Sequence, residues 1–392
     1  MTRTIGVDER RARLALRHRL APSVRARDPV GVADAVVALH GTDPSSVFLA
    51  ALARSREPSI ERIEAALYEQ RSLVRMLGMR RTMFVVPTQL APVMQAACTR
   101  AIAVQLRSRL VQHLAEADVA PDCAAWLAAL EEDALAALVA RGEAFAAELA
   151  DDVPLLRTQL RMATGKPYEA EVHVTTRVLF QLAADARIVR GRPRGSWTSS
   201  QYRWAPLERW LAGGLADWPT EAAQVELARR WLHRFGPATV DDLRWWTGWT
   251  MGQTRKALAQ LAPVEVDLSG VPGIALPDDS DPVTYHEPWT ALLPALDPTP
   301  MGWSGREWYL GGHAAALFDR SGNIGPTVWC DGRIVGGWAQ RRDGSIAYRL
   351  LEDIGAEAAG SVATAADRLG ELLGRVRVTP RFRTPLERDL SG

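Results

Sequence analysis

Three side chains in the run LHGTDPSS, His40, Thr42 and Asp43, are the first candidates for chemistry in this chain. Gly41 reads as a left-handed cap that ends the helix before it. Asp43 and Pro44 read as the acidic cap and first-turn proline of the helix after it. His40 and Thr42 are thereby expected on a short connector between two helices, close to a helix N-terminus that favours negative charge. A neutral imidazole there can hold a water molecule or take its proton, and a neighbouring hydroxyl can share in orienting it. Both residues would also serve as plain helix caps, so their types alone leave the two roles open.

Other groupings carry less. Thr164-Gly165-Lys166 lacks the upstream glycine and following hydroxyl of a phosphate loop. Residues 302–305 fall one residue short of a nucleophile elbow. His286, Glu287 and His313 have no third ligand at metal spacing, so neither a metal nor an organic cofactor is expected. Cys98, Cys123 and Cys330 stand singly, which argues against disulfides and zinc. Residues 1–20 contain no apolar signal core, and no run reaches the ~18 apolar residues of a membrane span. A reduced, cytoplasmic protein without membrane contact is expected. The 47% hydrophobic and 24% charged residues suit a folded chain of several domains. Net charge is only +1, yet of 47 basic residues just Lys166 and Lys256 are lysines. The rest are arginines, whose planar fork suits phosphate.

The elements that would position these groups repeat. Residues 224–234 have helical periodicity and stop at Gly236-Pro237; Thr239 caps a second helix, and a turn at 248–252 leads into a third, QTRKALAQL, with Arg255 and Lys256. A hairpin over 264–276 follows, giving a winged helix whose third helix is the recognition element. The same order is read from helices at 124–141, 144–149 and 170–184 into the hairpin RIVRGRPRGSWTSSQYRW. There Arg190, Arg192, Arg194 and Arg203 alternate with Trp197, Tyr202 and Trp204. A less regular copy opens the chain. Its helices are read at 9–20, 29–39, 44–54 and 60–68, and its strands at 73–77 and 82–86 turn at Gly78-Met79-Arg80-Arg81. A helix over 88–114 exposes Arg107.

After Pro277, short strands at 291–296, 308–310, 327–330, 333–338 and 345–351 read as a small β-barrel, followed by a helix over 356–374 and a basic tail with Arg381. The expected fold is α+β, three tandem winged helices plus a C-terminal barrel, divided at 1–90, 91–215, 216–280 and 281–392. The expected partner is duplex DNA, bound by a monomer through Arg80, Arg81, Arg107, Arg190, Arg192, Arg194, Arg203, Arg255 and Lys256.

The segments LHGTDPSSVFLAALAR, LVRMLGMRRTMFVVP, LLPALDPTPMGW and PTVWCDGRIVGGW, in that order, resemble the winged-helix DNA glycosylases of the YcaQ/AlkZ kind. The resemblance spans about residues 10 to 380. It implies three winged helices in a C shape around duplex DNA, a C-terminal barrel, and excision of alkylated purines, including bulky adducts and interstrand crosslinks. It also implies a water-positioning Gln-x-Gln or Gln-x-Asp motif, which aligns here with His40-Gly41-Thr42, and a histidine where this chain has Phe84. Both motif positions differ. Glutamine orients water but cannot accept its proton, whereas histidine can do both. Two readings stay open: a monofunctional glycosylase with a histidine-centred site, or a DNA-binding scaffold (transcription factor or damage sensor) without hydrolysis.

Overall fold

The computed structural model describes residues 2–162 and 170–392; Thr164-Gly165-Lys166 lies outside the described residues. The fold is α+β, with five small sheets among the described residues, set among helices.

The first strand, β1 (Arg3–Thr4), does not pair with its sequence neighbours. It runs parallel to β9 (Val264–Asp267), Arg3 against Val266, and joins the hairpin of β9 with β10 (Pro272–Ala275). The helix Val7–Arg17 follows and packs against the helix Thr220–Phe235. Next come helices Pro29–Ala35 and Pro44–Arg54, each opened by an aspartate cap and a proline, as the residue types require. Between them β2 (Leu39–His40) pairs antiparallel with β4 (Met83–Pro87), which also pairs with β3 (Leu73–Leu77), in the order β2-β4-β3.

The middle of the chain holds the helices Arg100–Glu116, Cys123–Arg141 and Ala146–Asp152. Gly142 ends the second of these with φ of 80°, a conformation that favours glycine. The expected helix from 170 begins later: Ala170–His173 is a strand, β6, paired with β5 (Gln159–Met162), and the helix is Thr175–Ala184. Val172 and His173 meet partners across the sheet here, and that pairing outweighs local helical preference. The hairpin β7 (Ile188–Pro193) and β8 (Tyr202–Pro206) follows, with a register break between Arg190 and Pro193. This region has a core of its own, centred on Leu127, Leu138, Leu156, Val178 and Leu182.

Helices Thr220–Phe235, Val240–Thr247 and Met251–Leu261 lead into β9 and β10. The last two helices start with reciprocal capping boxes at Thr239 and Thr250, and Gly248 separates them with φ of 74°.

The C-terminal strands form an open four-stranded antiparallel sheet, β11 (Thr290–Leu293), β12 (Thr327–Cys330), β13 (Arg333–Gln340) and β14 (Ile346–Leu350), not a closed barrel. Its outer strands do not pair with each other. The helix Ala356–Leu373 packs on both, so a helix covers the apolar face that closure would bury. Residues expected as a strand at 308–310 belong instead to a helical turn, Glu307–Leu310. One large core joins this sheet to the first sheet and to the helices at 220–261. Among the described residues, no helix is long and apolar enough to cross a membrane, and no three His, Cys, Asp or Glu side chains group as a metal site.

Candidate active site

His40 lies on a paired strand, not on a free connector. It faces Phe84 in the β2–β4 register, and the Gly41 amide extends that ladder to the Met83 carbonyl at 2.7 Å. The left-handed conformation expected of Gly41 is absent. Position 41 needs glycine for space: a Cβ there would stand 2.9 Å from Arg75 Nη1 and 3.3 Å from the Met83 carbonyl oxygen.

The imidazole is 8% exposed and meets the Phe84 ring edge-on, centroids 5.5 Å apart. Burial first, then the nearby Arg80 guanidinium, pushes its pKa down to about 3. His40 is therefore neutral at any physiological pH. Its Nδ1 is enclosed and has no partner among the described residues. Thr42 is half-buried and lies in the bend between β2 and the helix Pro44–Arg54.

Asp43 is committed to structure. Oδ1 accepts from the Ser45 amide at 3.0 Å and the Ser45 hydroxyl at 2.6 Å, while Oδ2 accepts from the Arg381 amide at 2.9 Å. The carboxylate thus caps one helix and ties the C-terminal tail to it.

Two arginines outside the expected set frame this segment. Arg75 is buried in β3; its Nη1 donates to the Gly41 carbonyl at 2.6 Å, and its guanidinium carbon lies 4.8 Å from the Tyr202 ring centroid. Arg75 Nη2 and the Tyr202 hydroxyl are enclosed and unpartnered among the described residues. Arg381 comes from the tail and is exposed. Arg190, from β7, lies 5.6 Å from the Tyr202 centroid and 5.2 Å from that of Trp204. Burial, then the like charges of Arg75 and Arg381, brings its pKa down to about 10. A charged residue inside the apolar run LVRML was the sequence signal for Arg75; nothing local distinguished Arg381 from the rest of the basic tail.

The other candidates fall in several places. Arg80 occupies the β3–β4 turn with φ of 53° and stacks over Trp245 at 4.0 Å, joining the first hairpin to the helix Val240–Thr247. Arg81 is exposed and donates to Gln105 at 2.9 Å. Arg107 bridges Glu131 at 2.9 Å and Asp185 at 2.6 Å. Arg192 pairs with Glu64 and Glu69, both at 3.1 Å. Arg194 and Arg203 lie over the Phe145 ring at 4.3 and 4.4 Å, and Arg203 also faces Glu148 at 3.9 Å. Arg255 is exposed on the helix Met251–Leu261, and beside it Lys256 pairs with Glu221.

The arrangement offers a neutral, enclosed nitrogen base on a segment that also carries the Thr42 hydroxyl, bordered by cations, at the junction of the first sheet, the second hairpin and the tail. No curated protein sequence matches the chain. The fold is similar to that of Streptomyces sahachiroi DNA glycosylase AlkZ, with a TM-score of 0.70 at 18% identity, covering 96% of this chain and 99% of that one. The model of a sequence family described as DNA glycosylase AlkZ-like matches residues 33–372, a span that includes His40, Thr42, Arg75 and Arg190. The chain belongs to the AlkZ-like DNA glycosylase family.

Proposed function

We propose that the protein is a monofunctional glycosylase of the DNA base-excision type, hydrolysing the N-glycosidic bond of cationic alkylated purines in duplex DNA. Neutral His40 is the water-positioning group and Thr42 its partner. The observation that carries this reading is the enclosed Nδ1 of His40 on β2, without a partner among the described residues; burial and the nearby Arg80 guanidinium keep that imidazole neutral. A base this weak orients a water through a hydrogen bond and removes no proton before the bond breaks. Weak basicity suffices when the leaving purine already carries a positive charge, because the sugar centre then ionises before strong nucleophilic help is needed. Asp43 has both oxygens engaged, so its part is to cap the helix and hold the connector. Neither lysine of the chain is near this segment in sequence, which supports hydrolysis without a Schiff-base step.

In this reading the three helix-and-hairpin segments are winged helices that together hold one duplex. Arg81, Arg194, Arg203 and Arg255 meet the phosphate backbone, and Arg80, Arg107, Arg192 and Lys256 support those surfaces through their present partners. The protein acts as a monomer in the cytoplasm, needs no cofactor, and takes N3- or N7-alkylated purines, bulky adducts and crosslinks among them.

The test is direct. Duplexes carrying N7-methylguanine or a nitrogen-mustard crosslink are incubated with the protein and then heated in alkali. Strand cleavage with wild type that is lost in His40→Ala supports the proposal. Absence of cleavage on every alkylated duplex overturns it.

A further inference from the structure

Arg75, Arg190 and Arg381 come from three separate parts of the chain and converge beside the His40–Asp43 segment. Arg75 reaches the Gly41 carbonyl at 2.6 Å, and the Arg381 amide reaches Asp43 at 2.9 Å. Arg190 shares the Tyr202 ring with Arg75, their guanidinium carbons 5.6 and 4.8 Å from its centroid, and feels the charge of Arg381 as well. Several other buried or half-buried arginines have carboxylates: Arg13 has Glu9 and Asp279, Arg54 has Asp297, and Arg107 has Glu131 and Asp185, whereas Arg10 and Arg80 lie singly over Trp308 and Trp245. Among the described residues no carboxylate stands within ion-pairing distance of Arg75, Arg190 or Arg381. Asp43, which the Arg381 amide meets, has both oxygens engaged. Three like charges kept together without a counter-ion are costly unless an anion joins them.

We infer that Arg190 and Arg381 close on a single phosphodiester of the bound strand, with Arg75 behind them fixing both that charge and the Gly41 carbonyl. This rests on the reading of the His40 segment as the active site. It adds that the C-terminal tail supplies part of the substrate grip, and that the phosphate seized is one flanking the damaged nucleotide. Arg190 is half-buried on β7 opposite Trp204, and Arg381 is exposed, so a strand that reaches Arg381 meets the outer part of Arg190. Arg75 is buried and its Nη2 enclosed, which suits an inner residue that positions the connector without touching DNA. Two guanidiniums on one phosphate form charge-assisted hydrogen bonds in a geometry arginine provides and lysine does not.

The test uses binding, so that it does not depend on catalysis. A fluorescein-labelled duplex with a stable abasic-site analogue is titrated with wild type, Arg190→Gln, Arg381→Gln and the double variant at fixed salt. Each single variant is expected to weaken binding about tenfold, and the double variant little more than either alone, because both act on one anion. Replacing one linkage at a time by a neutral methylphosphonate should reveal one position, next to the analogue, where wild type binds no better than Arg190→Gln. Arg229→Gln, on the helix Thr220–Phe235 and outside every DNA-facing set, has its charge taken by Glu226 and serves as the control. Fully additive losses, or losses unaffected by neutralising any linkage, overturn the clamp. So does wild-type affinity in both single variants. Melting curves confirm that each variant is folded, and Arg190→Lys should restore part of the affinity. Excision of N7-methylguanine is assayed separately: coupling without excision keeps the clamp and removes the glycosylase mechanism, and excision without coupling does the reverse.

Discussion

Arg54 and Asp297, 243 residues apart, form a two-pronged ion pair from which solvent is wholly excluded, with Nη2 to Oδ1 at 2.6 Å and Nη1 to Oδ2 at 2.8 Å. The remaining valences are largely used. Arg54 also donates to the Ala50 carbonyl and Thr299 hydroxyl, and Asp297 accepts from the Thr299 amide. His18 Nδ1 lies 2.8 Å from the same hydroxyl. The pair fastens the far end of the Asp43-capped helix to the turn that follows β11 in the C-terminal sheet. Two segments that carry the family resemblance, LAALAR and LDPTP, therefore meet in space.

Removing one partner strands the other charge in the core. Arg54→Met is expected to cost about 3–5 kcal/mol, read as a large fall in melting temperature. Arg54→Met with Asp297→Leu should recover part of that loss, since no charge is left behind. A single variant that melts with the wild type would refute this account of the joint.

Acid should unfold the protein through its buried histidines. A free histidine titrates near pH 6.5, but His40 resists protonation until about pH 3 and burial holds His18 well below its ordinary range. Between those values the unfolded chain binds protons that the folded chain refuses, so stability is full above about pH 6.5 and is lost as pH falls towards 3. His40→Gln should flatten part of that decline. Melting temperatures measured from pH 7 to 4 check this, and a variant curve parallel to wild type would contradict it.

The rate should separate orientation from proton abstraction. His40→Ala should lower excision of N7-methylguanine about 100-fold or more, while His40→Gln keeps a measurable part, because an amide oxygen still accepts from water. Thr42→Ala should cost about tenfold. Wild-type excision should show no inflection near pH 6.5; an inflection there that vanishes in His40→Gln would mean that the imidazole acts as a base.

Position 41 tolerates no side chain. Gly41→Ala sets a methyl against the Met83 carbonyl oxygen and the Phe84 carbonyl carbon, each 3.3 Å away, as well as against Arg75. The arginine tip can move, whereas the paired strand cannot. A loss of about 1–3 kcal/mol is expected, with excision falling further than stability because the Arg75–Gly41 bond is displaced. Equal activity and melting point in the variant would show that the strand has slack.

The helices and hairpins were legible because their signals are local. Asp43-Pro44, Thr239 and Thr250 cap where their types predict, and Gly142 and Gly248 take the positive φ that ends a helix. His40 was misplaced because its partner, Phe84, is distant in sequence and two residues suffice for β2. A two-residue strand has no periodicity to read. The barrel reading failed for a related reason: five short apolar runs resemble strands equally, and only packing decides that 307–310 coils and that a helix covers the open sheet. Charges were legible as a count and not as partners. Nothing in the run RIVRGRP separates Arg192, neutralised by Glu64 and Glu69, from Arg190, which has no acid beside it.

The parallel pairing of β1 with β9 bears on how the chain is made. Arg3 leaves the ribosome long before Val266, the residue it faces. At a synthesis rate of about 5–20 residues per second, the wait is roughly 15 to 50 seconds. Throughout that interval β1 has no sheet to join, and the unit at 220–275 completes its sheet only by recapturing β1. The β1–β9 pairing is therefore a late contact, made only after the intervening units have been synthesised.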